Sequence, residues 1–115
     1  MKGIEITIRL DEFVESRVST REDGQPLREY LTERWKEADK FTIDFEGLTI
    51  ASVSFIDEAF GKLAQLHGKR ELTRKIKVVN ISEQDRSLLN EVVMSRLRQF
   101  QSKARAHRSV VAGSN

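Results

Sequence analysis

Three short runs of alternating or β-branched residues, each followed by a run at helical spacing, constrain this chain more than any other feature. Ile4, Ile6, Ile8 and Leu10 alternate with Glu5, Thr7 and Arg9. Phe41, Ile43 and Phe45 alternate with Thr42, Asp44 and Glu46. A two-residue period puts one set of side chains on a buried face and the other toward water, so both runs predict strands with a single buried face. Ile76, Val78, Val79 and Ile81 predict a third strand by their β-branched enrichment.

The intervening runs have a different period. Leu27, Tyr30, Leu31, Trp35 and Ala38 recur at helical spacing behind Pro26, which suits an early helical position, and predict a helix ending near Asp39. Ile56, Ala59, Phe60, Leu63 and Ala64 predict a second helix from Ser54 to about His67, with Gly68 as its stop. Leu88, Leu89, Val92, Val93, Leu97 and Phe100 predict a third helix that opens at Ser82, with Glu83 and Asp85 in its first turn. The order β-α-β-α-β-α implies an α/β fold: a mostly parallel sheet of three to four strands, right-handed crossovers and about three helices. The candidate fourth strand is 13–18. Ser19 to Gly24 reads as a loop, and Lys69 to Lys75 as a basic connector.

A chain of 115 residues suffices for one core and one domain, read as 1–101. After Phe100 the apolar pattern fades, and 102–115 reads as a basic flexible C-terminal tail. No apolar run approaches the roughly 20 residues of a membrane span. The N-terminus enters a strand with no secretory pattern, and there is no cysteine, so a cytoplasmic location is expected. The charge is uneven. Residues 1–57 carry 8 Lys/Arg against 13 Asp/Glu, and residues 58–115 carry 12 against 5. Such a dipole orients a protein against a partner or a second copy of itself.

Catalytic patterns are weak. His67 and His107 stand in no spacing with carboxylates that would form a triad or a metal site. His67 suits the C-terminal end of a helix dipole. Asp44 and Glu46 share one face of a strand, where a solvated or capping role is the simpler reading than acid–base work. Neither phosphate-binding glycine pattern occurs. The chain reads as a non-enzyme without a cofactor or metal.

The turn between the second strand and its helix is the more informative segment. Ser54 followed by Asp57 resembles a capping box, so Ser54 is expected to cap the helix with its hydroxyl. In an α/β sheet this turn lies at the carboxyl end of a strand, where ligands and partners meet the fold. Thr49, Ile50, Val53, Ser54, Phe55 and Glu58 are the expected partner-binding residues, with apolar side chains beside a polar turn.

The same segment carries a family resemblance, in Asp44-Phe45-Glu46-Gly47, Ser54-Phe55, Asp57-Glu58 and Phe60-Gly61-Lys62-Leu63. It resembles the STAS-like domain family of bacterial proteins, similar in turn to the STAS domains of anti-sigma-factor antagonists. The similarity covers roughly 14–100. It implies a small STAS-like α/β domain that regulates by protein–protein interaction. The implied partner is a histidine-kinase-type ATPase or another regulator. Ser54 aligns with the serine phosphorylated in the antagonists, with Ser52 as a weaker acceptor. Where those proteins have Asp-Ser-Ser-Gly, this chain has Ser52-Val53-Ser54-Phe55.

Two other readings stay open. Lys69, Arg70, Arg74, Lys75 and Lys77, with Lys103, Arg105 and Arg108 in the tail, could contact the phosphates of a nucleic acid, although aromatic interleaving is absent. Alternatively the chain is a self-assembling scaffold, a homo-oligomer joined through a sheet edge or through its opposed charges.

Overall fold

The computed structural model describes residues 3–14 and 20–113, and side chains through Gln99. The fold is α/β, with a sheet of three parallel strands: β1 (Glu5–Arg9), β2 (Lys40–Asp44) and β3 (Ile76–Val79), in the order β1-β2-β3. The register aligns Ile6 with Phe41 and Ile76, and Ile8 with Ile43 and Val78. These residues form the apolar face, on which Phe41 and Ile43 are completely buried. Thr7 and Arg9, on the other face, are exposed. Two successive right-handed crossovers that step the same way across a sheet place both helices on one side. The strict alternation in β1 and β2 meets this requirement, since the uncovered face must be polar.

The first helix, α1 (Arg21–Glu33), begins five residues before Pro26. Thr20 and Asp23 form a reciprocal capping box: the Thr20 hydroxyl accepts from the Asp23 amide at 3.3 Å, and the Asp23 carboxylate from the Thr20 amide at 3.0 Å. The segment Ser19–Gly24, expected as a loop, is in its described part a helix start. The helix also ends early, and residues 34–37 form turns. Lys75 supplies the capping there, donating to the carbonyls of Trp35 and Ala38. Leu27 and Leu31 of α1 are completely buried.

After β2 the chain turns at Phe45–Leu48 and enters α2 (Val53–Ile56), a π-helical turn (Asp57–Gly61) and α3 (Lys62–Lys75). Gly68 breaks α3 with φ 84°, a conformation that disfavours any side chain, so it does end the first helical run as expected. Helix then resumes, and the basic connector is helical. Gly61 has a different reason to be glycine. A Cβ there would lie 2.8 Å from Val92 Cγ1 and 2.5 Å from Asp57 Oδ1, so its absence lets the last helix approach closely.

That last helix, α4 (Glu83–Gly113), continues well past Phe100, where the apolar pattern stops. Its backbone is helical over 102–113; the buried side chains among those described are Asp85, Val92 and Leu97, of which Asp85 is completely buried. The strand considered at 13–18 lies mostly outside the described residues. Of its first residues, Phe13 follows a 3-10 turn (Leu10–Glu12) and packs edge-on against Tyr30 at 5.6 Å. The core therefore lies in one layer between the apolar sheet face and the helices, centred on Phe41, Ile43, Phe45, Phe55, Phe60 and Leu63. No helix of the described residues is long and apolar enough to cross a membrane.

Candidate functional site

The carboxyl end of β2, the central strand, opens onto the turn that leads into α2. Asp44 organises its start. Its carboxylate accepts from the Glu46 amide and from Asn80 Nδ2, both at 2.9 Å. These two hydrogen bonds, Asn80's first, hold the Asp44 carboxyl below its ordinary value. Through them Asp44 ties the ends of β2 and β3 together.

The second half of the turn is held from below by Asp85. This carboxylate, wholly buried in the first turn of α4, accepts from the Ile50 amide at 2.6 Å and the Ala51 amide at 2.8 Å. Ser82 caps α4 by accepting from the Asp85 amide at 3.1 Å, which fixes the Asp85 backbone. Ala51 sits at φ 47°, in the left-handed region, where an L side chain costs about 1–2 kcal/mol. Two hydrogen bonds to a buried charge are strong enough to hold that conformation. The sequence marked Asp85 only as a helix-start acid. Nothing local signals that its partners lie 34 and 35 residues earlier.

The cap of this helix stands two residues earlier than expected. Ser52, not Ser54, is the N-cap: its hydroxyl accepts from the Phe55 amide at 3.2 Å, and its carbonyl accepts from the Ile56 amide. Ser54 is the second helical residue, exposed, and its hydroxyl makes no hydrogen bond among the described residues. Asp57, expected to complete a box with Ser54, instead takes a two-pronged contact from Arg96 of α4, at 2.7 and 2.6 Å. That pairing, opposed by partial burial, holds Asp57 below the ordinary carboxylate value.

The expected partner-binding residues therefore divide. Thr49, Val53 and Ser54 are exposed, Val53 by 56% despite its apolar side chain. Ile50, Phe55 and Glu58 are buried and are corrected to structural roles. Phe55 is a core residue and Ile50 packs under the turn. Val53 borders a shallow depression of about 250 Å³ with Asp57, Glu91, Val92 and Ser95, so α4 contributes to the exposed face as well.

Glu58 is the centre of a cation cluster. Its carboxylate receives Arg21 at 2.9 Å, Lys62 at 3.0 Å and Arg28. Burial by itself raises a carboxyl pKa. Here the hydrogen bonds from Lys62, Arg21 and Arg28 outweigh it and take Glu58 down to about 2. A buried acid with three cations welds α1 to the π turn and α3.

The basic residues read as phosphate contacts also separate. Lys69, Arg70 and Arg74 are exposed near the end of α3, with Arg74 paired to Glu71 at 2.6 Å. Lys75 is buried beneath Trp35 and is removed from any nucleic-acid surface. Lys103 and Arg105 lie on α4, and their side chains are outside the described residues. His67, near the break at Gly68, stacks on Trp35 with ring centroids 4.2 Å apart, and burial lowers its pKa. Among the described residues no group of His, Asp and Glu is placed to hold a metal ion.

A family model described as a STAS-like domain of unknown function (DUF4325) matches residues 23–86, from α1 to the first turn of α4. The match takes in the turn, its serines and Asp85. No curated protein and no solved structure matches the chain.

Proposed function

The chain belongs to this STAS-like family, and from that premise we propose that it is a cytoplasmic, non-catalytic regulatory module that docks a protein partner through the turn 49–54. The observation that carries the reading is an exposed apolar side chain and an exposed serine on a backbone held rigid from within. Val53 and Ser54 face outward, while Asp85 fixes the amides of Ile50 and Ala51 earlier in the same turn. Preordering of this kind lowers the entropy lost on association. The partner in this reading is a histidine-kinase-type ATPase or a related regulator, as the family resemblance implies.

Ser54 is the better phospho-acceptor of the two serines. The Ser52 hydroxyl is engaged as a cap, and its loss or modification would disturb the helix start. A phosphate on Ser54 would sit in the first helical turn, where the dipole favours negative charge, and would add up to about two charges to the docking face. Folding and switching can thus be separated. Ser52→Ala should cost about 1 kcal/mol in urea denaturation through loss of the cap. Ser54→Ala and Ser54→Asp should both fold as the wild type does.

The test of the docking face compares proteins retained from host lysate by the immobilised wild type, Ser54→Ala and Ser54→Asp, with mass spectrometry of the bound proteins and of phosphosites. A partner held by the wild type and Ser54→Ala but lost by Ser54→Asp is the expected result. Identical retention by all three, with no phosphate on Ser54, would overturn the switch.

A further inference from the structure

A second surface lies on the far side of the molecule's sheet from β1. We propose that the outer edge of β3, with the groove beside it, binds an acidic extended peptide of alternating apolar residues as a fourth strand. β3 ends the sheet, with no strand beyond it among the described residues. An edge strand presents unpaired amides and carbonyls along its length, and an incoming strand can satisfy them. Directly beside this edge, between α3, β3 and α4, runs a groove of about 350 Å³. Its floor includes Ile76, Val78, Leu89 and Val93, all half-buried rather than covered.

Charge selects the occupant. Among the described residues Arg86 is the charged residue lining the groove, and no Asp or Glu does so. Lys77 is exposed on β3, on the sheet face opposite Ile76 and Val78. Neither cation makes an ion pair among the described residues. A peptide strand added to β3 alternates its side chains in the same way. Apolar residues would enter the groove beside Val78, and the residues between them would emerge beside Lys77. Glutamate or aspartate at those positions meets a lysine; a lysine there would be repelled. A second copy paired antiparallel through β3 would set Lys77 and Arg86 near their own counterparts, which disfavours it. A lysine on an edge strand is also a common guard against unwanted pairing. Above an open apolar groove, that guard becomes a filter that admits acidic strands and rejects others.

The probe is a fluorescein-labelled seven-residue peptide, Glu-Val-Glu-Val-Glu-Val-Glu, titrated by anisotropy against the full chain at low salt. Saturable binding with Kd on the order of 100 μM is expected. The counterpart with lysine for glutamate should not bind. Neither should one with proline for the central valine, which lacks the amide needed for strand pairing. Lys77→Glu, at an exposed position, should weaken binding roughly tenfold. Lys69→Glu, outside the groove, should leave it unchanged and so controls for general attraction. Amide shifts in the NMR spectrum should concentrate at 76–79 and 89–93. The proposal is overturned by absence of saturation at roughly 1 mM, by equal binding of the proline peptide, or by shifts confined to 49–54. A peptide-independent dimer that buries β3 would overturn it in favour of a second copy.

Discussion

Asp85 decides the geometry of the candidate docking turn. Its two oxygens each accept one backbone amide, from Ile50 and Ala51, inside the protein. Replacement by alanine would leave the buried Ile50 amide and the part-buried Ala51 amide without a partner, and replacement by asparagine would turn an NH2 toward one of them. Because hydrogen bonds to a buried charge are among the stronger contributors, Asp85→Asn should cost on the order of 2–3 kcal/mol in urea denaturation. It should also weaken partner binding at the turn, through loss of the fixed Ala51 conformation. A change below about 0.5 kcal/mol, the range of surface substitutions, would show that the clamp contributes little. The choice of Ser52 over Ser54 as the cap is made at the same scale. Two serines, two residues apart, both have a residue three positions on that could close a cap. Only the backbone path through Ala51 determines that Ser52 stands at the entrance.

At the scale of elements, periodicity located the runs well and their ends poorly. The three strands and three helical stretches were legible because apolar residues recur at two or 3.6. The start of α1 was not, because Thr20–Asp23 carries no apolar residue, although its capping-box chemistry was present to be read. The resumption of helix after Gly68 was hidden because Leu72 is the one apolar residue in a mostly charged run, too few to show a helical period. For α4 the difference bears on stability. Its described buried side chains end at Leu97, whereas its backbone runs helical to Gly113. Beyond Phe100 the sequence carries no apolar stripe at helical spacing, and helix without such a stripe adds little to a fold. Truncation after Ser102 should therefore leave the melting temperature nearly unchanged in calorimetry. A large drop would show that residues beyond it pack on the domain.

For the whole molecule, the Glu58 cluster links elements that the sheet does not. Its cations come from α1 (Arg21, Arg28) and α3 (Lys62), and the neighbouring Asp57 brings in Arg96 of α4. The folded Glu58 carboxyl lies near 2, below its ordinary 4.5. A depressed carboxyl stabilises the fold fully above the unfolded value and loses that contribution as the pH falls toward the folded one. The melting temperature should accordingly fall between pH 4.5 and about 2. Glu58→Gln should melt lower than the wild type at neutral pH, where three cations lose their anion. The difference should close across that acid window. A gap that persists unchanged at pH 2 would assign the loss to packing instead of charge.

The sequence by itself determined the class of this protein. The alternation in β1 and β2, Ile6 and Ile8 against Thr7 and Arg9, Phe41 and Ile43 against Thr42 and Asp44, already required a sheet with one wet face. The order of elements required that its strands be parallel. Both are local properties, carried by spacing along the chain. Tertiary structure decided which residues of the candidate site are outside. Phe55 and Glu58 are close neighbours of Ser54 in sequence, yet they face α1 and the core, while Ser54 and Val53 face water. Lys75, one basic residue among several, is drawn inward by the carbonyls of Trp35 and Ala38, and Asp85 by amides of a turn on the other side of β3. Each of these depends on a partner 30 or more residues away, a pairing that no local period encodes. A buried charge takes its position from the group that compensates it, and only the assembled fold supplies that group.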